Sequence, residues 1–285
     1  MSKISSPVAG CMRWGKWGVN FSTKEYRKMI DACLLNNITS FDHADIYGHY
    51  TTEADFGNAL KGNTSLRSQI QLITKCGIKM ITPNRTNDVI KSYDASAKHI
   101  QDSVEQSLID FHTDYIDTLL IHRPDILLNP EEVANTIQQL QQQGKIKTFG
   151  VSNFTTDEVA LLNNFITIDH HQIEISINHM NAFSNGTLQQ AMMHDIEIQA
   201  WSPWGNGLFD TKNEKHDRIL SKANELAEKY KATVNEILLA FLYIHPANIT
   251  PVIGTTQFSR IKEAKRAIEI DLTREDFYQL WQAST

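Results

Sequence analysis

The stretch "FDHADIYG", residues 41–48, sets Asp42, His43, Asp45 and Tyr47 at the end of an apolar run. Carboxylates, an imidazole and a phenol so placed are groups that move protons or hold cations. The strand period of two decides which of them can meet. Ile38, Ser40, Asp42 and Ala44 share one face, while Thr39, Phe41 and His43 share the other. In the same way Gln71, Ile73 and Lys75 fall on one side of the next run, and Ile116, Thr118, Leu120 and His122 on one side of the run after it. If these faces line one interior, an acid, an ammonium and an imidazole converge above an apolar plug, with Tyr47 on the loop just beyond Asp42. A buried lysine needs a counter-charge, which Asp42 can supply. An ammonium beside a tyrosine stabilises the phenolate and lowers its pKa, so Tyr47 is expected to act as an acid near neutral pH.

Each residue alone has an ordinary reading. An aspartate at a strand end caps a helix, a tyrosine before glycine sits in a turn, a lysine snorkels and a histidine bonds to backbone. Four of them at the ends of three consecutive runs favour chemistry. A metal centre on Asp42, His43, Asp45 and His122 is disfavoured, because His43 alternates away from Asp42 and no HxH or HExxH spacing occurs. A serine hydrolase lacks its GxSxG elbow.

The elements that must position these groups recur along the chain. Short apolar runs lie at Val8 to Cys11, Ile38 to Ala44, Ile70 to Cys76, Tyr115 to His122, Ile146 to Asn153, His170 to Ser176, Ile196 to Ser202 and Ile249 to Thr255. Between them apolar residues fall at helical spacing, as in Ile100, Val104, Leu108 and Phe111, or Val133, Ile137 and Leu140. Eight strand-and-helix units without a Pro/Gly/Ser-rich linker predict a single (β/α)8 TIM barrel over residues 1–285, in preference to an open doubly wound sheet. Helix starts at Ser22-Thr23, at Thr156-Asp157-Glu158 and at Thr273 with Asp276 support the parse. Two long connections, residues 77–95 and "PWGNGLFDTKNEKHD", leave the C-terminal ends of strands, where barrel enzymes build their sites. Few residues precede the first strand, so little chain is expected to plug the barrel floor.

Composition narrows the function further. A net charge of -6 with interspersed signs offers no basic stripe for nucleic acid. No apolar stretch approaches the ~18 residues a membrane span needs, and "MSKISSPVAG" lacks a signal-peptide core, so a cytoplasmic protein is expected. Cys11, Cys33 and Cys76 are odd in number and widely spaced, which predicts reduced thiols.

Taken together, "FDHADIYG", "ITKCG", "LLIHRPD", "FGVSNF", "QIEIS", "AWSPWGNG" and "VIGTT" resemble, in order and spacing, the aldo-keto reductases, and within them the bacterial YdhF-like branch. The resemblance implies a (β/α)8 barrel that binds a nicotinamide cofactor without a Rossmann fingerprint. It implies roles: Tyr47 as proton donor, Lys75 lowering its pKa, Asp42 fixing Lys75, and His122 orienting a substrate carbonyl. His43 and Asp45 receive no role. Ser152, Asn153 and Gln172 are expected to hold the nicotinamide amide and Trp201 to stack on its ring. The backbone at Ser202, Trp204, Gly205 and Gly207 is expected to follow the pyrophosphate, and Thr255 with Arg260 to meet a 2'-phosphate. Many NADPH-preferring members place a lysine near the start of that last segment, whereas this chain reads Gly254-Thr255-Thr256-Gln257, and Ala264 stands where an asparagine near the adenine is usual. NADP(H) is thus favoured over NAD(H) mainly through Arg260. The function implied is reduction of a small aldehyde or ketone. A cofactor-binding regulatory protein of the same fold is the alternative, and a sugar- or phosphate-processing barrel without nicotinamide a third reading. Trp14, Trp17, Phe21 and Trp204 either wall the substrate pocket, which would suit apolar or aromatic carbonyls, or pack under the long loops.

Overall fold

The computed structural model describes residues 4–211 and 213–285. Met1 to Lys3 and Lys212, which belong to the N-terminal and loop stretches quoted above, lie outside the described residues. Strands Val8–Gly10, Ser40–Asp42, Gln71–Cys76, Ile116–Ile121, Ile146–Ser152, His170–Glu174, Glu197–Trp201 and Thr250–Ile253 form a closed barrel in chain order, every barrel pairing parallel and the last strand bonded to the first. Each strand lies inside one of the runs read from the sequence.

Helices cover the outside because their apolar residues repeat at the helical period. Helix Ala97–Phe111 buries Ile100, Val104 and Phe111, and helix Pro130–Gln142 buries Val133, Ile137 and Leu140. Burying each such side chain contributes about 1.5–3 kcal/mol. Glu25 accepts from both the backbone and the hydroxyl of Ser22, and Thr155 and Thr273 cap helices Thr156–Asn163 and Arg274–Ser284. Where helix Thr52–Leu60 meets helix Ala97–Phe111, Gly57 is required: a Cβ there would lie 1.9 Å from the Asp110 carbonyl oxygen.

Inside the barrel, Val8, Ile73, Leu120 and Val252 form a buried apolar waist. Ser5 donates its amide to Ser40 Oγ at 2.8 Å, its hydroxyl accepts from the Thr39 and Ser40 amides, and Ile4 packs under the waist. Ser5 and Ile4 close on the floor, and a cavity lined by Ile4, Gln71, Asp117, Lys147 and His170 stays open beside them, in line with the short extension.

The connection after the third strand is a hairpin, Ile78–Lys79 against Ser92–Tyr93. It is tied to the loop that carries Tyr47. Tyr50 Oη donates to the Ile78 carbonyl and accepts from the Met80 amide, both at 3.1 Å, and Arg85 lies 4.3 Å over the Tyr50 ring. Asn84 donates to the His49 carbonyl at 2.6 Å.

Candidate active site

Lys75 and Asp42 end neighbouring inward faces, and the parallel register sets Asp42 beside Ile73 and Lys75 beside Leu120. The ladder continues past the strand: His43 N bonds to Ile73 O at 2.8 Å and Asp45 N to Lys75 O at 3.0 Å. The chain then turns, and the Thr51 and Thr52 amides bond to the Tyr47 carbonyl, so helix Thr52–Leu60 starts from the loop bearing Tyr47. Gly48 begins that turn at φ +60°, with His49 and Tyr50 following at +62° and +65°, and a Cβ at position 48 would lie 2.5 Å from Thr52 Oγ1.

The four groups read as chemical converge. Lys75 Nζ lies 2.7 Å from Asp42 Oδ1, 2.6 Å from the His43 carbonyl oxygen and 3.3 Å from Tyr47 Oη, which uses all three ammonium hydrogens. Lys75 is 1% exposed and Asp42 3%. Burial alone would lower the Lys75 ammonium, but Asp42 and Tyr47 together hold it above its ordinary value. His122 faces the Tyr47 ring edge-on at 6.0 Å, and its Nδ1 is buried without a partner among the described residues. Burial, with Lys75 and Arg123 adding repulsion, keeps the His122 imidazole neutral well below its ordinary pKa.

One electrostatic expectation is reversed. Burial pushes the Tyr47 phenol above its ordinary value; Lys75 pulls it down but does not prevail. Sequence alone shows the neighbouring ammonium and hides the desolvation. The phenol is therefore firmly protonated at neutral pH, and Lys75 acts by easing its ionisation relative to a buried tyrosine standing alone.

The expected walls divide. Trp17 lies 6.0 Å from the Tyr47 ring and 5.5 Å from His49, so it borders the site. Trp14 is buried in the core against Phe21, Tyr26, Phe41 and Phe56 and so is no wall, while Phe21 is half-buried and packs on it. Trp14 Nε1 instead donates to the Thr255 carbonyl at 2.8 Å, anchoring the chain after the last strand. Trp204 Nε1 donates to Asn235 O at 3.2 Å, pinning its loop to helix Val234–Tyr243. His43 points away as its alternation requires and lies between the Phe56 and Phe111 rings, at 4.5 and 5.0 Å.

Of the residues expected to hold a cofactor, Ser152, Asn153, Gln172 and Trp201 lie beside these groups. Gln172 Nε2 donates to Asp42 Oδ1 at 2.7 Å, and Asn153 Nδ2 donates to the His122 carbonyl at 3.2 Å and to Ser152 Oγ at 2.8 Å. Trp201 Nε1 donates to Asn153 Oδ1 at 3.0 Å. The amides of Asn153 and Gln172 thus fix Trp201, His122 and Asp42 relative to one another, a bracing role the sequence did not disclose. Ser202, Gly205 and Gly207 adopt φ of +51°, +87° and +73°, which bends the following loop sharply. After the last strand, Gly254 faces open space, Thr255 Oγ1 accepts from Gln257 N at 3.1 Å, and helix Phe258–Arg266 begins without a side-chain cap. Arg260 is exposed in its first turn. Open space beside free amides and an exposed cation suits a phosphate-bearing cofactor. Ala264 is fully buried, so the position expected near the adenine packs into the core.

Sequence reading missed Glu53. It is 4% exposed, accepts from the Thr74 hydroxyl and, at 2.9 Å, from Ser107 Oγ, and burial pushes its carboxyl up to about 7. An exposed-looking glutamate in the first turn of a helix gave no signal of this.

The family model for the aldo/keto reductase family matches residues 8–284. The chain belongs to the aldo/keto reductase family. Among relatives of this reductase-family chain, oxidoreductase YdhF of Escherichia coli K12 is 36% identical, the match covering 99% of this chain and 94% of that one. The 6-dehydroglucose reductase of Agrobacterium fabrum is also 36% identical, over 98% and 94%. These matches agree with the YdhF-like bacterial branch. A solved aldo-keto reductase from Klebsiella pneumoniae, in complex with NADPH, shares the fold with a TM-score of 0.77 at 21% identity, covering 98% of this chain and 90% of that one. The chain is thus an oxidoreductase-family (β/α)8 barrel, and no helix among the described residues is long and apolar enough to cross a membrane.

Proposed function

We propose that the protein is an NADPH-dependent reductase of a small aldehyde or ketone, with Tyr47 as proton donor. The observation that carries this reading is Lys75 Nζ held between Asp42 Oδ1 at 2.7 Å and Tyr47 Oη at 3.3 Å, at the mouth of the barrel. Bound NADPH would supply the hydride to the carbonyl carbon. The protein's own part is proton transfer and orientation. A carbonyl oxygen placed between Tyr47 Oη and the neutral His122 ring accepts the phenolic hydrogen as negative charge grows on it. The phenolate left behind lies against Lys75, whose charge was in place before the reaction, so little reorganisation is needed. Asp42 keeps Lys75 charged and aimed, and Gln172 keeps Asp42 aimed. The reverse oxidation follows the same path with Tyr47 as base.

Ser152, Asn153, Gln172 and Trp201 form the nicotinamide end of the proposed cofactor site. Ser202, Trp204, Gly205 and Gly207 form its middle, and Thr255 and Arg260 its phosphate end. The NADPH-bound Klebsiella structure is consistent with that choice. The test is quenching of NADPH fluorescence by the purified protein, followed by NADPH consumption with a panel of carbonyls. 6-Dehydroglucose is the first to try, given the Agrobacterium relative. Binding with carbonyl-dependent consumption is expected; no NADPH binding would overturn the reading, and binding without turnover on any carbonyl would favour the regulatory alternative.

A further inference from the structure

Behind Lys75, on the outer side of the second and third strands, lies a second set of buried ionisable groups that the proposed chemistry does not use. Glu53 bridges three elements. Its helix begins on the Tyr47 carbonyl, its carboxylate accepts from Thr74, the residue before Lys75, and its other oxygen accepts at 2.9 Å from Ser107 on helix Ala97–Phe111. The contact is close because Gly57, one turn later, lets the two helices meet at van der Waals distance. On the other side of Lys75, its carbonyl oxygen accepts from Asp45 N at 3.0 Å. Tyr47's loop is therefore joined to Lys75's strand twice, by the Asp45 amide on the Lys75 carbonyl and, through the helix that follows Tyr47, by the Glu53 carboxyl on Thr74.

We propose that Glu53 is a positioning residue whose protonation state, read through Thr74 and through the field it adds behind Lys75, sets how readily Tyr47 gives up its proton. The inference rests on the reading of Tyr47 as proton donor. Burial holds the Glu53 carboxyl at about 7, with the Thr74 and Ser107 hydroxyls opposing that rise. The charged and titratable groups facing it are Asp45 from the Tyr47 loop, Lys75 and Cys76 from the third strand, and Asp110 from the facing helix. His43, beside the same Phe56 and Phe111 rings, stays neutral through burial. Burial raises the Asp45 carboxyl well above its ordinary range, with Glu53 adding to the rise, and Glu53 itself changes charge near neutral pH.

The sign follows. Below about 7 Glu53 is neutral and Lys75 acts on Tyr47 at full strength. Above it, the carboxylate offsets part of the Lys75 charge, phenolate formation becomes harder, and reduction slows. A shift of half a pKa unit on Tyr47 corresponds to roughly a threefold change in rate.

The experiment measures the turnover number for reduction at saturating NADPH and aldehyde between pH 5.5 and 8.5 in wild type, Glu53→Gln, Thr74→Val and Tyr47→Phe. Alongside, the glutamate side-chain carboxyls of 13C-labelled wild-type protein are titrated by NMR, which needs no variant to fold. Wild type should lose about threefold across a midpoint near 7, matching a glutamate carboxyl that titrates there. Glu53→Gln, which keeps the shape and can still bond both hydroxyls, should abolish the step and stay at the acid-side rate. Thr74→Val removes a bond that favours the carboxylate, so it should move the midpoint upward. A step that persists unchanged in Glu53→Gln, or a wild type in which no glutamate titrates near 7, would overturn the proposal. Wild-type-like turnover in Tyr47→Phe would instead overturn the reading beneath it, whatever Glu53 does.

Discussion

Arg67 at the barrel floor and Lys75 at its mouth are both buried cations paired with an aspartate, yet their surroundings differ. Arg67 donates from Nε to Thr113, from Nη1 to the Ile70 carbonyl, and from Nη2 to the Tyr115 carbonyl and Asp117, all at 2.8–3.0 Å, with its plane 3.8 Å above the Tyr115 ring. Asp117 accepts in turn from Lys147 and from the Leu72 amide. Donors and acceptors there are used within the protein. At the mouth, Lys75 is just as fully bonded, but its partner Tyr47 still has a hydroxyl hydrogen to give, and His122 Nδ1 is buried without a partner among the described residues. A buried polar network that is complete fixes structure; one that stops one bond short is prepared for a substrate.

The largest expected effect breaks the floor without touching the mouth. Asp117→Ala leaves Arg67 buried without its counter-charge, a change that typically costs about 3–5 kcal/mol. Urea unfolding should show that loss, while turnover per folded molecule stays near wild type. Loss of turnover in the folded variant, with little change in unfolding midpoint, would mean the floor serves the chemistry and the contrast is wrong.

Tyr47→Phe is the mirror experiment. Ring packing against Trp17 is kept and only the hydroxyl goes, so the unfolding midpoint should hardly move. Turnover should fall by about 10²-fold or more, equivalent to about 2.7 kcal/mol in the barrier. A variant that unfolds early but reduces aldehydes at the normal rate would make Tyr47 a structural residue like Arg67.

These two ends were not equally legible. Asp42, Lys75 and His122 could be placed on one interior from the period of two, because each strand's register follows from alternation and the parallel order. Arg67 could not, since its partners Thr113, Tyr115 and Asp117 lie about fifty positions away and only packing of helix Thr64–Gln69 under the barrel brings them together. Glu53 failed for the same reason: its burial depends on Gly57 and on a helix half a hundred residues downstream. The direction of the Tyr47 shift was misread because a neighbouring charge is visible in sequence, whereas the burial that outweighs it is a property of the assembled loop, its hairpin neighbour and Trp17. Trp14, Phe21 and Trp17 look equivalent in composition; Trp17 borders Tyr47, Trp14 fills the core and Phe21, half-buried, packs on Trp14.

The smallest expected effect sharpens the comparison at the outer rim of the mouth, where the polar groups face solvent. Arg260 is exposed in the first turn of helix Phe258–Arg266, whereas Arg266 in the last turn of the same helix is held by the buried Glu236 at 3.3 Å. One arginine of this helix serves the fold and the other is available to a ligand. With Gly254 and Gln257 uncharged, Arg260 is the cation the proposed phosphate end depends on, helped by Thr255 and the uncapped helix N-terminus. Arg260→Ala should raise the apparent dissociation constant for NADPH by about tenfold, or about 1.4 kcal/mol, and leave NADH nearly unchanged. Added salt should weaken NADPH binding more in wild type than in the variant, because screening acts on the contact the variant lacks. Fluorescence titrations with both cofactors at two ionic strengths decide it. Equal weakening for NADPH and NADH would make Arg260 a support of the loop and not a reader of phosphate, and a wild type that prefers NADH would remove the phosphate end from the proposed site altogether.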